Sequence, residues 1–177
     1  MASRTPVWGQ SSTSQACETC TVAWWPADEW QRMLIGEDCS MCRDGGVPTN
    51  PFSDLIAETR SSYVRLCVNQ SQPGYCVVIS KRHVPELHDL SSAERSGFID
   101  DIAATGRVIT ELFDPVKLAN LMMGFRMPHL HCHIYPQYRN DDPFALIDPQ
   151  RGDIRLSATE WTHRLESIRA SFASISR

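Results

Sequence analysis

The chain has 177 residues, which is enough for one domain with a hydrophobic core but short for two domains. Its composition, 42% hydrophobic and 21% charged, argues against wholesale disorder. A net charge of −4 makes nucleic acid an unlikely partner, because proteins that neutralise phosphates usually carry basic surfaces. No stretch approaches 18 uncharged apolar residues, so no membrane span is expected.

Cysteine usage bears on the cell compartment. Seven cysteines, an odd number in a chain that shows no signal-peptide pattern, favour metal or thiol chemistry in a reducing environment. We therefore expect a cytoplasmic protein.

The N-terminal segment is rich in Ser, Thr, Gln and Gly, which predicts a flexible tail over residues 1–25 and a single domain over 26–177. A short helix is expected over 26–35, since a proline begins it and Gly36 follows its end. Residues 38–51, dense in Cys, Gly, Asp and Pro, read as a loop.

The remaining pattern alternates strands and helices. Residues 64–68 and 75–79 are predicted as an antiparallel strand pair around a Pro-Gly turn. A capping box, Ser91 with Glu94, begins a long helix that should end at Asp114, before a proline. Its predicted buried stripe runs from Phe98 to Leu112. Strands over 116–123 and 130–135 and a C-terminal helix from 157 to about 172 complete the prediction.

The densest chemical signal is a row of three histidines, His129, His131 and His133. On a strand these side chains share one face, with neighbours about 7 Å apart. Three ligands along one straight strand cannot surround a tetrahedral ion with bonds of about 2.0–2.1 Å. At most two can bind one metal, so the row must serve more than one purpose.

Two Cys-x-x-Cys pairs leave alternatives open. Cys39 and Cys42 have the spacing of a zinc chelate or of a redox pair. Cys17 and Cys20 form a second pair at a distance that fits a four-cysteine zinc ribbon.

His129-x-His131-x-His133 followed by two apolar residues resembles the signature of the histidine triad (HIT) family, in particular its zinc-bearing bacterial branch. The resemblance extends over about residues 28–145. It includes the strand that ends in Lys81-Arg82-His83, the start of the long helix at Ser91, and the Gly-x-x-Cys-x-x-Cys ending at Cys42. It implies an α+β fold, an antiparallel sheet with a long crossing helix and a C-terminal helix, usually paired as a homodimer.

The same resemblance implies a structural zinc held by Cys39, Cys42, His83 and His129. Such a Cys₂His₂ set is closed and leaves no position for water. The zinc ribbon, with Cys17 and Cys20, stays as an alternative.

The resemblance further implies an enzyme, a nucleotide hydrolase or nucleotidyl transferase that cleaves an α-phosphate bond of a nucleotide conjugate. His131 would attack phosphorus and form a covalent histidyl-nucleotide, while a backbone carbonyl holds its other nitrogen. His133 would donate to the phosphate or the leaving group. The alternatives are a catalytically weakened, zinc-stabilised nucleotide-binding or scaffold protein, or an N-terminal zinc-ribbon adaptor.

Departures from the family pattern affect the phosphate site. Where the bacterial branch has an Asn, this chain has Ala119, with Asn120 beside it, and where an amide follows Gly124 it has Phe125, with Arg126 next. The usual Pro-Arg after the triad is Pro-Gln, ending in Gln137. We expect Asn120, Phe125, Arg126 and Gln137 to be substrate-binding residues, with Phe125 stacking on a base or filling the core.

Overall fold

The computed structural model describes residues 24–149 and 152–175. A six-stranded antiparallel sheet carries helices on one face, and the predicted α+β fold is confirmed. None of the helices in these ranges is long and apolar enough to cross a membrane.

The strands of the sheet are β1 (Thr49–Asn50), β2 (Ser53–Glu58), β3 (Ser62–Cys67), β4 (Cys76–Ser80), β5 (Lys117–Leu121) and β6 (His131–Gln137). Their order across the sheet is β1-β2-β3-β4-β6-β5. The predicted pair corresponds to β3 and β4, which are antiparallel with Leu66 opposite Cys76. Strand β2 was not predicted from the sequence, because it has a bulge between Leu55 and Ala57 and no uniform alternation.

The helices are α1 (Ala27–Leu34), α2 (Ser40–Asp44), α3 (Ser92–Phe113) and α4 (Ala158–Ile175), with a 3₁₀ turn at Leu87–Asp89. The capping box of α3 is confirmed, since the Ser91 hydroxyl accepts from the backbone of Glu94 and the Glu94 carboxylate accepts in return. Helix α3 ends at Asp114, which takes a left-handed conformation before the proline. Ser157 and Glu160 form the same reciprocal bonds at α4, which extends three residues beyond its predicted end.

Two details of the helix predictions are wrong. The segment 38–51 is not a loop throughout, because Cys39 caps the short helix α2 within it. Leu112, the last member of the predicted stripe of α3, is 42% exposed, whereas Val108, which the predicted stripe left out, is fully buried. Because Leu112 lies on the same face one turn after Val108, its exposure follows from its position in the last turn of α3 and not from the helical period.

The two faces of the sheet have different roles. Val64, Val78, Cys132 and Ile134 pack on one face with residues of α3 and α4 to form the main core. A second, smaller cluster lies on the opposite face and consists of Cys67, Tyr75, Val77, Ile79 and Tyr135. Because side chains alternate along a strand, His131 and His133 belong to this second face.

The predicted tail lies outside the described residues apart from Trp24 and Trp25, so the boundary at residue 25 stays a prediction, as does the single domain. Cys17 and Cys20 also lie outside the described residues. The indole nitrogen of Trp25 donates to the backbone oxygen of Phe125, 2.8 Å away. This bond connects the segment before α1 to the loop between β5 and β6.

Arg65 fastens the segment after α2 to the sheet. Its guanidinium is fully buried and donates to the hydroxyl and backbone oxygen of Ser53 and to the backbone oxygens of Gly45 and Val47, at 2.6–2.8 Å. A buried charge is tolerated when it is hydrogen-bonded, and each of the three guanidinium nitrogens has at least one acceptor. The segment that carries the Cys-x-x-Cys pair is therefore held against β2 and β3.

Replacing Arg65 with Met should lower the free energy of unfolding by about 3 kcal/mol, because several buried acceptors lose their donor at about 1–3 kcal/mol each. Urea unfolding followed by circular dichroism measures the change. The matched control is Arg60→Met at an exposed turn, which should shift stability by no more than about 0.5 kcal/mol. Equal midpoints for Arg65→Met and the wild type would contradict this account.

Candidate active site and metal centre

Four predicted ligands come together at one edge of the second face. The ligand atoms of Cys39, Cys42, His83 and His129 all lie within 4.8 Å of one another. Cys39 and Cys42 come from the start of α2, His83 follows β4, and His129 precedes β6. The site therefore joins three parts of the chain that are far apart in sequence.

The distances suit a tetrahedral ion. Nδ1 of His129 lies 3.2 Å from Sγ of Cys39, 3.4 Å from Sγ of Cys42 and 3.2 Å from Nδ1 of His83. Zinc bonds of about 2.0–2.3 Å in a tetrahedron separate the ligand atoms by about 3.3–3.8 Å. The four residues could hold a metal ion, and the set leaves no open coordination position.

The second nitrogens of both imidazoles support this arrangement. Nε2 of His83 lies 2.9 Å from the backbone oxygen of Leu34, and Nε2 of His129 lies 2.7 Å from that of Ser80. Since a carbonyl only accepts, each Nε2 carries the proton and each Nδ1 presents its lone pair to the cluster.

Titration of these groups depends on burial. Burial lowers the pKa of His129 to about 4, so its imidazole is neutral near pH 7. Burial first, and then the neighbouring Cys39, raise the pKa of the Cys42 thiol to about 11. Binding a cation there must displace thiol protons, which makes its affinity rise with pH.

His131 and His133 form a second group beside the first. Nδ1 of His131 lies 2.6 Å from the backbone oxygen of His129, so Nδ1 carries the proton and Nε2 is free of one. The resemblance implied this contact with a backbone carbonyl, and the structure contains it. Nε2 of His131 lies 3.2 Å from Nε2 of His133. Because Nε2 of His131 has no proton, Nε2 of His133 carries the proton of this hydrogen bond.

Tyr75 completes a directed hydrogen-bond chain. Its hydroxyl lies 2.7 Å from Nδ1 of His133 and donates to it, because the proton of His133 is on Nε2. Burial raises the pKa of the neighbouring Cys67 thiol to about 12. The two hydrogen bonds from Tyr75 to His133 and from His133 to His131 are thus oriented toward Nε2 of His131.

Sequence patterns did not identify Tyr75 as part of the site. Only the strand register shows that residues 75–79 lie beside β6, with Ile79 opposite His131 and Val77 opposite His133. Burial lowers the pKa of His133 to about 4, and burial also lowers the pKa of His131. Both imidazoles are therefore neutral near pH 7, as a nitrogen nucleophile requires.

Not all predicted substrate residues meet at these histidines. Phe125 and Arg126 line a cavity of about 290 Å³ together with His131 and His133. Phe125 is 65% exposed, so the alternative that it fills the core is wrong. His88 and His163, which carry no predicted role, are exposed.

Asn120 and Gln137 are set apart from the cavity. Asn120 pairs with Ile134, a residue of the main core, so its side chain lies on the helix-bearing face, whereas Ala119 lies on the face of the histidines. Gln137 shares the face of His131 but lies six residues along β6, about 20 Å away at a rise of ~3.4 Å per residue. Neither side chain is placed to replace the absent amide.

A family model, that of the HIT domain, matches residues 49–140 of the chain. The chain belongs to the HIT domain family. The matched residues include the second and third strands of the sheet, the long helix and the three histidines.

Two curated relatives of this HIT protein carry enzyme names. The AP-4-A phosphorylase of Mycobacterium tuberculosis is 28% identical over 141 residues, which cover 66% of this chain and 72% of the relative. The asymmetrical bis(5'-nucleosyl)-tetraphosphatase of Schizosaccharomyces pombe is 25% identical and is covered over 62% of its length, with 58% of this chain.

Solved structures show the same fold. A histidine triad protein from Bradyrhizobium japonicum superposes with a TM-score of 0.62 at 20% identity, covering 68% of this chain and 90% of that one. A zinc-bound histidine triad family protein from Mycobacterium smegmatis superposes with a TM-score of 0.57 at 19% identity, covering 78% and 96%.

The conformation at Gly36 offers a test of the metal centre. Gly36 has φ of +87°, and a Cβ there would lie 3.3 Å from Cγ of the His83 ring. Gly36→Ala should therefore displace His83 and lower the affinity for Zn²⁺ or Co²⁺ by at least about tenfold, the scale of lost support around a ligand. Chelator competition measures the affinity.

The matched control for this test is Gly124→Ala, where a Cβ meets no atom closer than 3.7 Å and the metal affinity should not change. Equal affinities of the Gly36→Ala variant and the wild type would contradict the expected displacement of His83 from the metal centre.

Proposed function

We propose that this protein is a nucleotide hydrolase or nucleotidyl transferase that cleaves an α-phosphate bond of a nucleotide conjugate through a covalent histidyl-nucleotide. The observation that carries the proposal is the state of His131. Its Nδ1 proton is committed to the backbone oxygen of His129, so Nε2 presents its lone pair beside a cavity, where it accepts from Nε2 of His133 until a substrate phosphate takes over that donor. The names of the curated relatives support the substrate class.

The first step forms a bond between Nε2 of His131 and the α-phosphorus, and the bond from phosphorus to the leaving group breaks. The leaving group takes the bonding electron pair. The Nε2–H of His133, 3.2 Å from the nucleophile, is placed to donate a hydrogen bond to the phosphate or to the departing atom, and it keeps its proton. Water or inorganic phosphate then attacks phosphorus, and the breaking phosphorus–nitrogen bond returns its electron pair to Nε2 of His131, while the proton of an attacking water passes to solvent. The product is a nucleoside monophosphate with water and a nucleoside diphosphate with phosphate.

A larger cavity adjoins this site and suits the nucleotide part of the substrate. Its volume is about 560 Å³, within the range of small-molecule pockets, and its wall includes Phe52, Val77 and Ile79 together with Asn50 and Asn69. The apolar residues supply a surface for a base, and the amides supply hydrogen bonds.

We propose zinc as the ion of the metal centre, held by Cys39, Cys42, His83 and His129. The zinc-bound family member from Mycobacterium smegmatis and the tetrahedral distances between the ligand atoms support zinc. A zinc ion in a closed Cys₂His₂ site stabilises the fold and supplies no catalytic water. Its role here is to secure the α1–α2 segment to the ends of β4 and β6.

A homodimer and a cytoplasmic location are parts of the same proposal. The exposed apolar residues Leu112 and Val116 lie beside edge strand β5, where a second copy could cover them. Free, buried cysteines in the described strands suit a reducing compartment.

Replacing His131 with Ala should lower nucleotide release from adenosine phosphoramidates and dinucleoside polyphosphates by at least about a thousandfold, the scale of losing a nucleophile. Chromatography of the released nucleotide measures this. The matched control is His163→Ala, at an exposed position on α4. Mass spectrometry of the wild type should detect a histidyl-nucleotide that the variant lacks.

Equal release by the wild type and the His131→Ala variant would refute the proposed function. Nucleotide binding without release, and without a covalent adduct, would favour the weakened scaffold protein instead. That alternative is motivated by Phe125, which replaces a phosphate-binding amide worth roughly 3–4 kcal/mol in comparable sites.

Replacing Tyr75 with Phe removes the donor to Nδ1 of His133 and allows the wrong tautomer, so kcat should fall about tenfold with little change in KM. Steady-state kinetics separates the two constants, and thermal unfolding checks the fold. The control Tyr63→Phe deletes a hydroxyl on β3 that contacts neither histidine. A parallel loss of stability and of kcat would assign Tyr75 a structural role only.

A further inference from the structure

Two cavities meet at the histidines and differ in their walls. His133, Tyr75 and Arg126 border both, whereas His131 borders only the smaller one. In a displacement at phosphorus the leaving group departs on the side opposite the nucleophile. A conjugate whose α-phosphate lies beside His131 therefore has its two halves in different regions of the site.

The smaller cavity is lined by large, polarisable side chains. Its wall contains Met123, Phe125 and Met127 from the loop between β5 and β6, and Met41 from α2. Arg126 and Asp148 add one guanidinium and one carboxylate to the same wall. Thioether and aromatic groups suit a planar ring, and a guanidinium suits a phosphate.

Phe125 is held in place although its ring is exposed. Its backbone oxygen accepts from the indole nitrogen of Trp25, and its ring lies 6.4 Å from that of Trp24, edge to face. Trp24 is itself 5.3 Å from Trp30 of α1. The exposed fractions are 65% for Phe125 and 59% for Trp24.

Exposing the rings of Phe125 and Trp24 to water is energetically unfavourable, and it indicates a surface that a ligand covers. A contiguous exposed apolar patch at the rim of a polar site is typical of a binding surface. A fixed aromatic ring stacks on any planar base, because every base presents a π-face. At the position where an amide would hydrogen-bond to phosphate, this chain therefore offers stacking instead.

We propose that Phe125, supported by Trp24 and Trp30, is a stacking platform for a planar ring carried by the leaving group. The inference rests on the proposed function and narrows its substrate class. Preferred substrates are conjugates in which the leaving group bears a base or another aromatic ring, such as dinucleoside polyphosphates. Conjugates that release bare polyphosphate bind less tightly.

Two compounds that differ in the base on the leaving group measure the contribution of that base to binding. Diadenosine tetraphosphate and adenosine 5'-tetraphosphate share the adenylyl half, and their leaving groups share three phosphates, but only the first leaving group carries a base. Calorimetry measures both Kd values in the full chain with His131→Ala, so that no turnover intervenes. The diadenosine compound should bind at least about tenfold more tightly, the scale of one base stacked on an aromatic ring.

Adding Phe125→Leu should reduce this affinity ratio about tenfold, and Phe125→Tyr should preserve it. Phe144→Leu is the matched control, because Phe144 is also exposed, at 94%, and borders neither cavity. Thermal unfolding confirms that each variant is folded.

The stacking platform is refuted if the two compounds have nearly equal Kd values, or if the ratio of their Kd values is unchanged by Phe125→Leu. If Phe125→Leu leaves that ratio unchanged but alters the oligomeric state, the exposed patch is a contact between copies of the chain instead. Release of AMP, or of ADP when inorganic phosphate is added, is measured separately with His131 intact. If the adenylyl half of neither compound is released as AMP or ADP, the proposed function fails while the ratio of Kd values still decides the platform, and if neither compound binds, both proposals fail.

Discussion

His129 connects the metal centre to the candidate nucleophile through two different parts of one residue. Its imidazole Nδ1 lies among the thiols and His83, while its backbone oxygen accepts the Nδ1 proton of His131 at 2.6 Å. Its Nε2 is held by the backbone of Ser80, at the end of β4. A displacement of His129 would therefore affect both the cluster and the bond that fixes the tautomer of His131. The ends of two strands, the candidate metal ligands and the candidate nucleophile are thus mechanically connected.

The hydrogen-bond chain at His131 has a single consistent direction. Because the carbonyl of His129 only accepts, each successive group must donate, from Tyr75 to His133 and from His133 to the lone pair of His131. Burial supports this order, since it disfavours the charged form of every member. The site thus holds neutral groups of defined polarity, with Arg126 supplying positive charge at the cavity wall.

The loop between β5 and β6 is where the candidate site departs from the expected family pattern. An amide at residue 125 would offer a hydrogen-bond donor, whereas Phe125 offers an apolar face fixed by Trp25. The neighbouring Asn120 does not compensate, because strand alternation directs it to the other face of the sheet. Under the proposed function, exchanging a hydrogen bond to phosphate for ring stacking would change which part of a substrate is recognised.

From the sequence alone, capping boxes located both long helices, and the histidine spacing required that one metal take at most two members of the row. The cluster contains only His129 of the three, in agreement with that requirement. These are local properties, since caps and strand periodicity depend on residues a few positions apart. Strand β2, the role of Tyr75, the separation of Asn120 and Gln137, and the contact of Trp24 and Trp25 with Phe125 depended on tertiary structure. Each follows from strand register or from contacts between distant segments, and a one-residue change of register would direct every side chain of a strand to the opposite face.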